Sequence, residues 1–318
     1  MLLGVDIGGT KVAAGLVDPS GAILQQARLP MAASGTPSEG LAAVISAISN
    51  VSGNIGGHPV LPAAVSCVGI CAPGPLDPNR GVVINPPNLP CWRNYPLAEA
   101  VGKVFGVSVK VDNDANAAAL AEARWGAGRG YRNVFYATLG TGIGTGIIFD
   151  GRIYHGRTGA AAEGGHVSID YRGPRCGCGK PGCIEVLASG PAIARRARAK
   201  LEQGRRSELL ELCQRRVAEL TSEMVAEAFG HGDLVAREVL LETVDLLALW
   251  LGNMVDLLEP DVMVMGGGVA AMLSPLFGEI RDRLPSCCIN SRCSEIPLVM
   301  ARYGADAGIA GGAALCQG

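Results

Sequence analysis

The chain has 318 residues, 48% hydrophobic and 18% charged, with a formal net charge of −2. Aromatics at 4% offer little surface for base stacking, and near-neutral charge excludes the basic footprint of a nucleic-acid or anionic-membrane binder. The length suits two lobes, and no apolar run approaches the roughly 18 residues that a membrane-crossing helix needs.

Met1–Val5 could begin a leader, but Asp6 and Lys11 interrupt it before a useful apolar region forms. Leu2–Asp6 then reads as a strand, Asp6-Ile-Gly-Gly-Thr10-Lys11 as a turn, Val12–Val17 and Ala22–Leu29 as two further strands. The backbone N–H groups of that first turn suit phosphate oxygens, with Asp6 placed to meet Mg²⁺; an ordinary hairpin would have the same outline. Pro37–Val51 has the spacing of an amphipathic helix. Ala63–Ile70 is a strand feeding the rigid turn Ala72-Pro73-Gly74-Pro75, and Val82–Ile84 a short strand before Asn85-Pro-Pro-Asn88. A helix is expected over Pro96–Phe105 and a strand over Val107–Val111, leading into Asp112-Asn113-Asp114 and a helix over Ala115–Ala127. Asp114 thus stands at a strand-to-helix junction. Such a position favours an ionised carboxylate, and it is also where an N-cap is ordinarily found.

Asn133–Thr138 runs into Gly140-Thr141-Gly142-Ile143-Gly144-Thr145-Gly146, followed by a strand at Ile147–Phe149. This second glycine turn echoes the first and suggests a duplicated architecture with one phosphate turn from each half. A strand, not a helix, follows each, so neither is a Walker loop or a Rossmann fingerprint. Helices are expected over Pro191–Leu201, Arg206–Leu212, Leu220–Phe229 and Leu234–Leu258, the last with a stripe of Leu240, Val244, Leu247, Trp250 and Leu251 that reads as core. Asp261–Met265 is a strand ending in Gly266-Gly267-Gly268, which permits close approach to a flat ligand or simply a tight turn. A helix over Pro275–Leu284, a strand over Ile296–Met300 and a small Ala/Gly helix over Asp306–Leu315 complete the chain.

The most specific stretch is His166 with Cys176-Gly-Cys178 and Cys183. Three thiols fall within eight residues, ten after the histidine. This is the donor set of a closed tetrahedral zinc site, structural because four protein ligands leave no place for water. Reduced, unliganded cysteines are the plainer alternative. Glu163 and Glu185 flank the set, although zinc does not need them, and they suggest a ligand pocket that the metal holds in shape. The other cysteines, out of eleven, are scattered, which suits a reducing cytoplasm.

With these motifs together, the sequence resembles the ROK family of sugar kinases, on the α/β actin-like (ribonuclease H-like) ATPase fold, and within it is most similar to ATP-dependent bacterial glucokinases. The resemblance runs from Asp6-Ile-Gly-Gly-Thr to Gly304-Ala-Asp306-Ala-Gly308; the run from Glu163-Gly-Gly-His166 through Cys183-x-Glu185 is its specific part. It implies two lobes with a cleft between them: residues 1–112 completed by a C-terminal helix at 303–318, and residues 113–302 with the zinc loop. It implies Asp114 as general base, and Gly74, Asn88, Asn113, Glu163, His166 and Glu185 at the sugar. His166, Cys176, Cys178 and Cys183 would ligate zinc. Gly8, Gly9, Thr10, Thr141 and Gly142 would form the phosphate turns, with Asp6 and Lys11 beside the first, and Gly267 and Gly268 would face the nucleotide. Partners would be MgATP, a hexose and a second copy of the chain, with no nucleic acid or membrane.

Cys71 and Cys91 stand where the family often has glycine, as does Ala162; the two cysteines imply sensitivity to thiol reagents. Family members that repress transcription carry a DNA-binding segment ahead of this domain; with five residues before Asp6, a repressor is not the expected reading. The sugar is expected to be glucose, phosphorylated at its 6-hydroxyl. Another hexose or N-acetylhexosamine, among them N-acetylmannosamine, N-acetylglucosamine, fructose, mannose and allose, is the alternative, and a non-catalytic sugar sensor a further one.

Overall fold

The structure, a computed structural model, describes residues 1–55 and 58–317. Gly318, the end of the expected C-terminal segment, lies outside the described residues.

Leu2–Ile7 is the middle strand of a five-stranded sheet with the spatial order 23–30, 11–17, 2–7, 67–72, 108–113. The first three strands are antiparallel because short turns join them; the last three are parallel and need crossovers, supplied in part by helices Pro37–Ser52 and Leu97–Phe105. Register sets Asp6 beside Cys71, Cys71 beside Asp112, and Ala72 beside Asn113. The parallel strands therefore end at one edge, where open α/β sheets place their ligands. The strand expected from Ala63 begins at Cys67, because Val65 N–H closes a turn onto the Pro62 carbonyl at 2.8 Å. Helix Pro37–Ser52 starts with a capping box. The Thr36 hydroxyl accepts from Glu39 N–H at 3.3 Å and the Glu39 carboxylate accepts from Thr36 N–H at 2.7 Å. Its Val44, Ile48 and Val51 join Leu3, Val5 and Val12 in the core.

Helix Ala307–Leu315 lies directly on this sheet. A Cβ at Gly69 would fall 1.8 Å from the Gly312 carbonyl oxygen, so the two elements meet backbone to backbone. Small residues are a condition of this packing. Helix Asp114–Trp125 packs beside it through a run of buried alanines. Its Glu122 is fully buried, and the carboxylate accepts from the N–H groups of Ala127, Arg302 and Tyr303 at 2.8–3.0 Å. Three charge-assisted bonds offset the cost of burying that charge.

A second five-stranded sheet runs in the order 152–153, 143–149, 134–139, 262–266, 298–300. The strand expected from Ile147 starts at Ile143, so Gly144 and Gly146 belong to it, and the turn shrinks to Gly140–Gly142 with a 2.9 Å bond from Gly140 N–H to the Gly142 carbonyl. Helix Leu234–Leu258 buries the expected stripe of Leu240, Val244, Leu247, Trp250 and Leu251. Of the helix expected over Pro275–Leu284, Phe277–Arg283 is helical; Pro275 falls in a 3₁₀ turn, Ser274–Leu276, that separates it from a further short helix, Gly268–Leu273, which was not expected. Helix Ile184–Ala188 was not expected. Among the described residues no helix is long and apolar enough to cross a membrane. The chain forms two compact units: residues 1–136, 146–162 and 302–318, and residues 137–145 and 163–301.

Candidate active site and metal centre

In the first unit the turn after Leu2–Ile7 is closed by Gly8 N–H on the Lys11 carbonyl at 2.9 Å. A Cβ at Gly9 would stand 2.8 Å from the Asn88 carbonyl oxygen, so Gly9 and Asn88 are brought together and only glycine fits. Thr10 and Lys11 are exposed. Asp6 closes the strand. Burial pushes its carboxyl above the usual range, partly offset by the Cys71 thiol and the charges of Lys11 and Arg28. A carboxylate held this way gains by meeting a cation.

Asn113 and Asp114 share the start of one helix. Asn113 is its N-cap, accepting from the N–H groups of Ala115 at 2.9 Å and Asn116 at 3.3 Å. Asp114 is the first helical residue, is exposed, and accepts from Ala115 N–H at 2.8 Å. The capping role open to Asp114 in the sequence therefore belongs to Asn113, and the Asp114 carboxylate sits at the positive end of the helix. Gly74 lies beside Asn113: a Cβ there would be 3.7 Å from the Asn113 Nδ2.

In the second unit Glu185 joins two motifs. Its Oε2 accepts from Ile143 N–H at 3.0 Å, and a Cβ at Gly142 would come within 2.7 Å of that oxygen. Its Oε1 lies 3.9 Å from His166 Nδ1. Glu185 is carried by the short helix Ile184–Ala188, directly after Cys183. Glu163 precedes a 3₁₀ turn, Gly164–His166, and is exposed. Both glycines of that turn are close-packed: a Cβ at Gly164 would stand 2.7 Å from Thr145 Oγ1 and one at Gly165 1.9 Å from the Ile143 carbonyl oxygen. Gly164 N–H donates to Thr145 Oγ1 at 2.8 Å, and Trp250 Nε1 donates to the Gly164 carbonyl at 3.0 Å.

His166, Cys176, Cys178 and Cys183 bring four ligand atoms within 4.8 Å of one another. His166 Nδ1 is 3.5 Å from Cys176 Sγ, and Cys178 Sγ is 3.6 Å from Cys183 Sγ. A tetrahedron with a Zn–S bond of about 2.3 Å has edges of about 3.8 Å, so the donor set fits zinc in number, softness and spacing. Nδ1 faces the thiols, which leaves Nε2 as the nitrogen for another partner.

Thr141 and Gly268 line a cavity of about 410 Å³ together with Gly140, Gly190, Pro191, Ala194, Arg198, Thr221 and Ser222. Gly190 N–H donates to the Gly140 carbonyl at 2.8 Å, which ties the start of helix Gly190–Glu202 to the glycine turn. Gly267 has φ 87°, and its Cβ would collide with the Leu139 carbonyl at 2.2 Å. Sequence reading did not single out Gly190, Arg198 or Thr221. They sit in ordinary helix starts and faces, and the one signal was Pro191 at a first helical turn.

The expectation of reactive Cys71 and Cys91 is corrected. Cys71 is wholly buried, its thiol donating to the carbonyls of Gly308 at 3.0 Å and Val5 at 3.3 Å, and burial next to Asp6 and Asp114 pushes it well up. Cys91 is 6% exposed and burial raises its thiol as well. Ala162 has φ 65°, the left-handed region that glycine enters freely and that costs alanine about 1–2 kcal/mol.

The ROK family model matches residues 2–318. A glucokinase of Streptomyces coelicolor is 36% identical, over 100% of this chain and 98% of its own, and a glucokinase of Thermotoga maritima is 33% identical over 99% and 97%. Among solved structures, a ROK family glucokinase from Streptomyces griseus in complex with glucose and AMPPNP matches with a TM-score of 0.80 and 35% identity, covering 100% of this chain and 99% of that one.

Proposed function

The chain belongs to the ROK family, and from that premise we propose that it is an ATP-dependent sugar kinase that phosphorylates glucose at the 6-hydroxyl. The observation that carries the reading is Glu185, one carboxylate that binds the glycine turn at Ile143 and stands beside His166 of the metal cluster. A phosphate turn and a polar, metal-braced pocket wall are thereby made one unit, which a kinase needs and a simple sugar binder does not. Glucokinase relatives at 33–36% identity, and a relative holding glucose and an ATP analogue, support the same substrate pair.

In this reading Asp114 accepts the proton of the attacking hydroxyl. The transition state is loose, so the proton leaves late and a carboxylate suffices as base. Asn113, Asn88, Glu163, Glu185 and the Nε2 of His166 hold sugar hydroxyls, and Gly74 leaves room beside Asn113. Gly8, Gly9, Thr10, Thr141 and Gly142 offer N–H groups to the phosphates, with Lys11 beside them and Gly267 and Gly268 on the nucleotide side. Mg²⁺ arrives with ATP as part of the substrate, and Asp6 is the carboxylate that would meet it. Zinc held by His166 and the three cysteines would supply a rigid cross-link, not a reaction step. The enzyme would work as a cytoplasmic homodimer.

A coupled ADP-release assay over a panel of hexoses and N-acetylhexosamines tests this. High kcat/KM for glucose alone supports the glucokinase reading. Preference for an acetylated sugar would keep the chemistry and change the substrate, and no turnover with any sugar would reject the enzyme.

A further inference from the structure

The first unit contains a cavity of about 370 Å³ that none of the roles above uses. Lys110, Arg124, Arg152 and His155 line it, and among the described lining residues Asp112 is the one carboxylate. Asp112 is 4% exposed and fully engaged. Its Oδ2 is 2.6 Å from His155 Nε2, and its Oδ1 accepts from Asn113 N–H at 2.7 Å and Asn116 Nδ2 at 3.2 Å. Its charge is therefore spent on these neighbours. Arg124 is half-buried, and burial holds its guanidinium below the usual range. It donates to the Ala314 carbonyl at 2.6 Å, and among the described residues it pairs with no carboxylate; nor does Arg152. A partly desolvated guanidinium without a counter-ion is costly, and its planar fork matches phosphate oxygens.

We propose that this cavity binds a phosphate-bearing anion, inorganic phosphate or a phosphate monoester, through Arg124, Arg152, Lys110 and His155. The bond to Asp112 raises the His155 pKa against the opposing effect of burial. The charged groups sharing the cavity with His155 are Asp112 and Lys110 from strand Ser108–Asn113, Arg124 from helix Asp114–Trp125, and Arg152 from its own segment. An anion adds to the protonated form, so binding strengthens as pH falls through the His155 pKa.

The test is calorimetry on the full chain with sulfate as probe, a dianion throughout the range, at constant ionic strength and at about pH 6 and pH 8. Wild type is expected to bind sulfate more tightly at the lower pH. Arg152→Gln, an exposed position, should weaken binding about tenfold or more without changing the melting temperature, and His155→Gln should remove the pH dependence. Arg124→Gln should do the same as Arg152→Gln, but it also loses the Ala314 bond, so the exposed variant decides if it fails to fold. Sulfate affinity unchanged in Arg152→Gln overturns the proposal. Competition then separates the sources. Displacement at much lower concentration by a hexose 6-phosphate assigns an ester, equal displacement assigns free phosphate, and displacement by neither also overturns the site. The binding readout does not depend on kinase activity, so it fails or stands separately from the functional reading.

Discussion

Gly308 is packed against Asp6: a Cβ on Gly308 would stand 2.2 Å from Asp6 Cγ and 2.5 Å from its Oδ2. The Gly308 carbonyl also takes the Cys71 thiol that approaches the same carboxylate to 3.6 Å. The C-terminal helix thus sets where the Asp6 carboxylate points. Gly308→Ala is expected to displace Asp6, to raise KM for MgATP and to lower kcat. It should also cost about 1–3 kcal/mol of stability from overpacking. Steady-state kinetics beside a melting curve checks it; lowered melting with unchanged KM for MgATP would leave Asp6 a purely structural part.

Asp114 can be changed without uncapping its helix, since Asn113 supplies the cap. Asp114→Asn removes the carboxylate proposed as base while keeping size and hydrogen-bonding capacity. The expected outcome is a kcat lower by about 10²–10⁴ with glucose binding largely kept. Equilibrium glucose titration with single-turnover kinetics measures both, and wild-type turnover would exclude Asp114 from proton transfer.

The metal cluster makes a different prediction. Cys178 is exposed whereas Cys176 and Cys183 are buried, so Cys178→Ser disturbs packing least. If the four residues hold zinc as proposed, the change should release it, lower the melting temperature and weaken glucose binding together, because His166 and Glu185 would share the frame that the metal closes. Elemental analysis, calorimetry and melting on one preparation decide it. Zinc lost with both other quantities unchanged would make the cluster dispensable.

The strands as elements and the long helices were legible because they follow periodicity, whereas strand ends set by turns shifted by about four residues at Cys67 and Ile143. Leu234–Leu258 was found with its full length, and the first glycine turn stands where two glycines interrupt alternating apolar residues. The donor set of the metal loop was legible because three thiols and an imidazole crowded into one short stretch suit a single soft metal ion and little else. Sequence distance hid the rest. The Glu185–Ile143 bond joins residues 42 apart, and the Asp112–His155 pair residues 43 apart. Family likeness marked Glu185, but nothing local to His155 announced a partner. Whether Asp114 or Asn113 caps their helix turned on one residue of phase, which propensity does not resolve because both side chains cap well.

The thiols give the last prediction. Cys67 is half-buried, and its pKa is lowered to about 6, first by the hydrogen bond from Cys316 and then by Ser108 and Lys110 against the effect of burial. The proton the pair shares stays on Cys316, whose own thiol is pushed up. A lowered pKa means that the thiolate of Cys67 is formed above about pH 6 and lost as pH falls below it. Alkylation of Cys67 by iodoacetamide should therefore level off near neutral pH, while an ordinary thiol, with a pKa of about 8.5, goes on gaining rate through and beyond that pH. Cys71 and Cys91, buried and raised, should react only on unfolding. Peptide-resolved mass spectrometry on the zinc-loaded protein, in which Cys178 is protected as a ligand, reads all of them at once. Labelling of Cys71 in the folded protein as fast as Cys67 would mean that the end of the sheet carrying Asp6 opens to solvent, and the close packing of Gly308 against that carboxylate would then be transient.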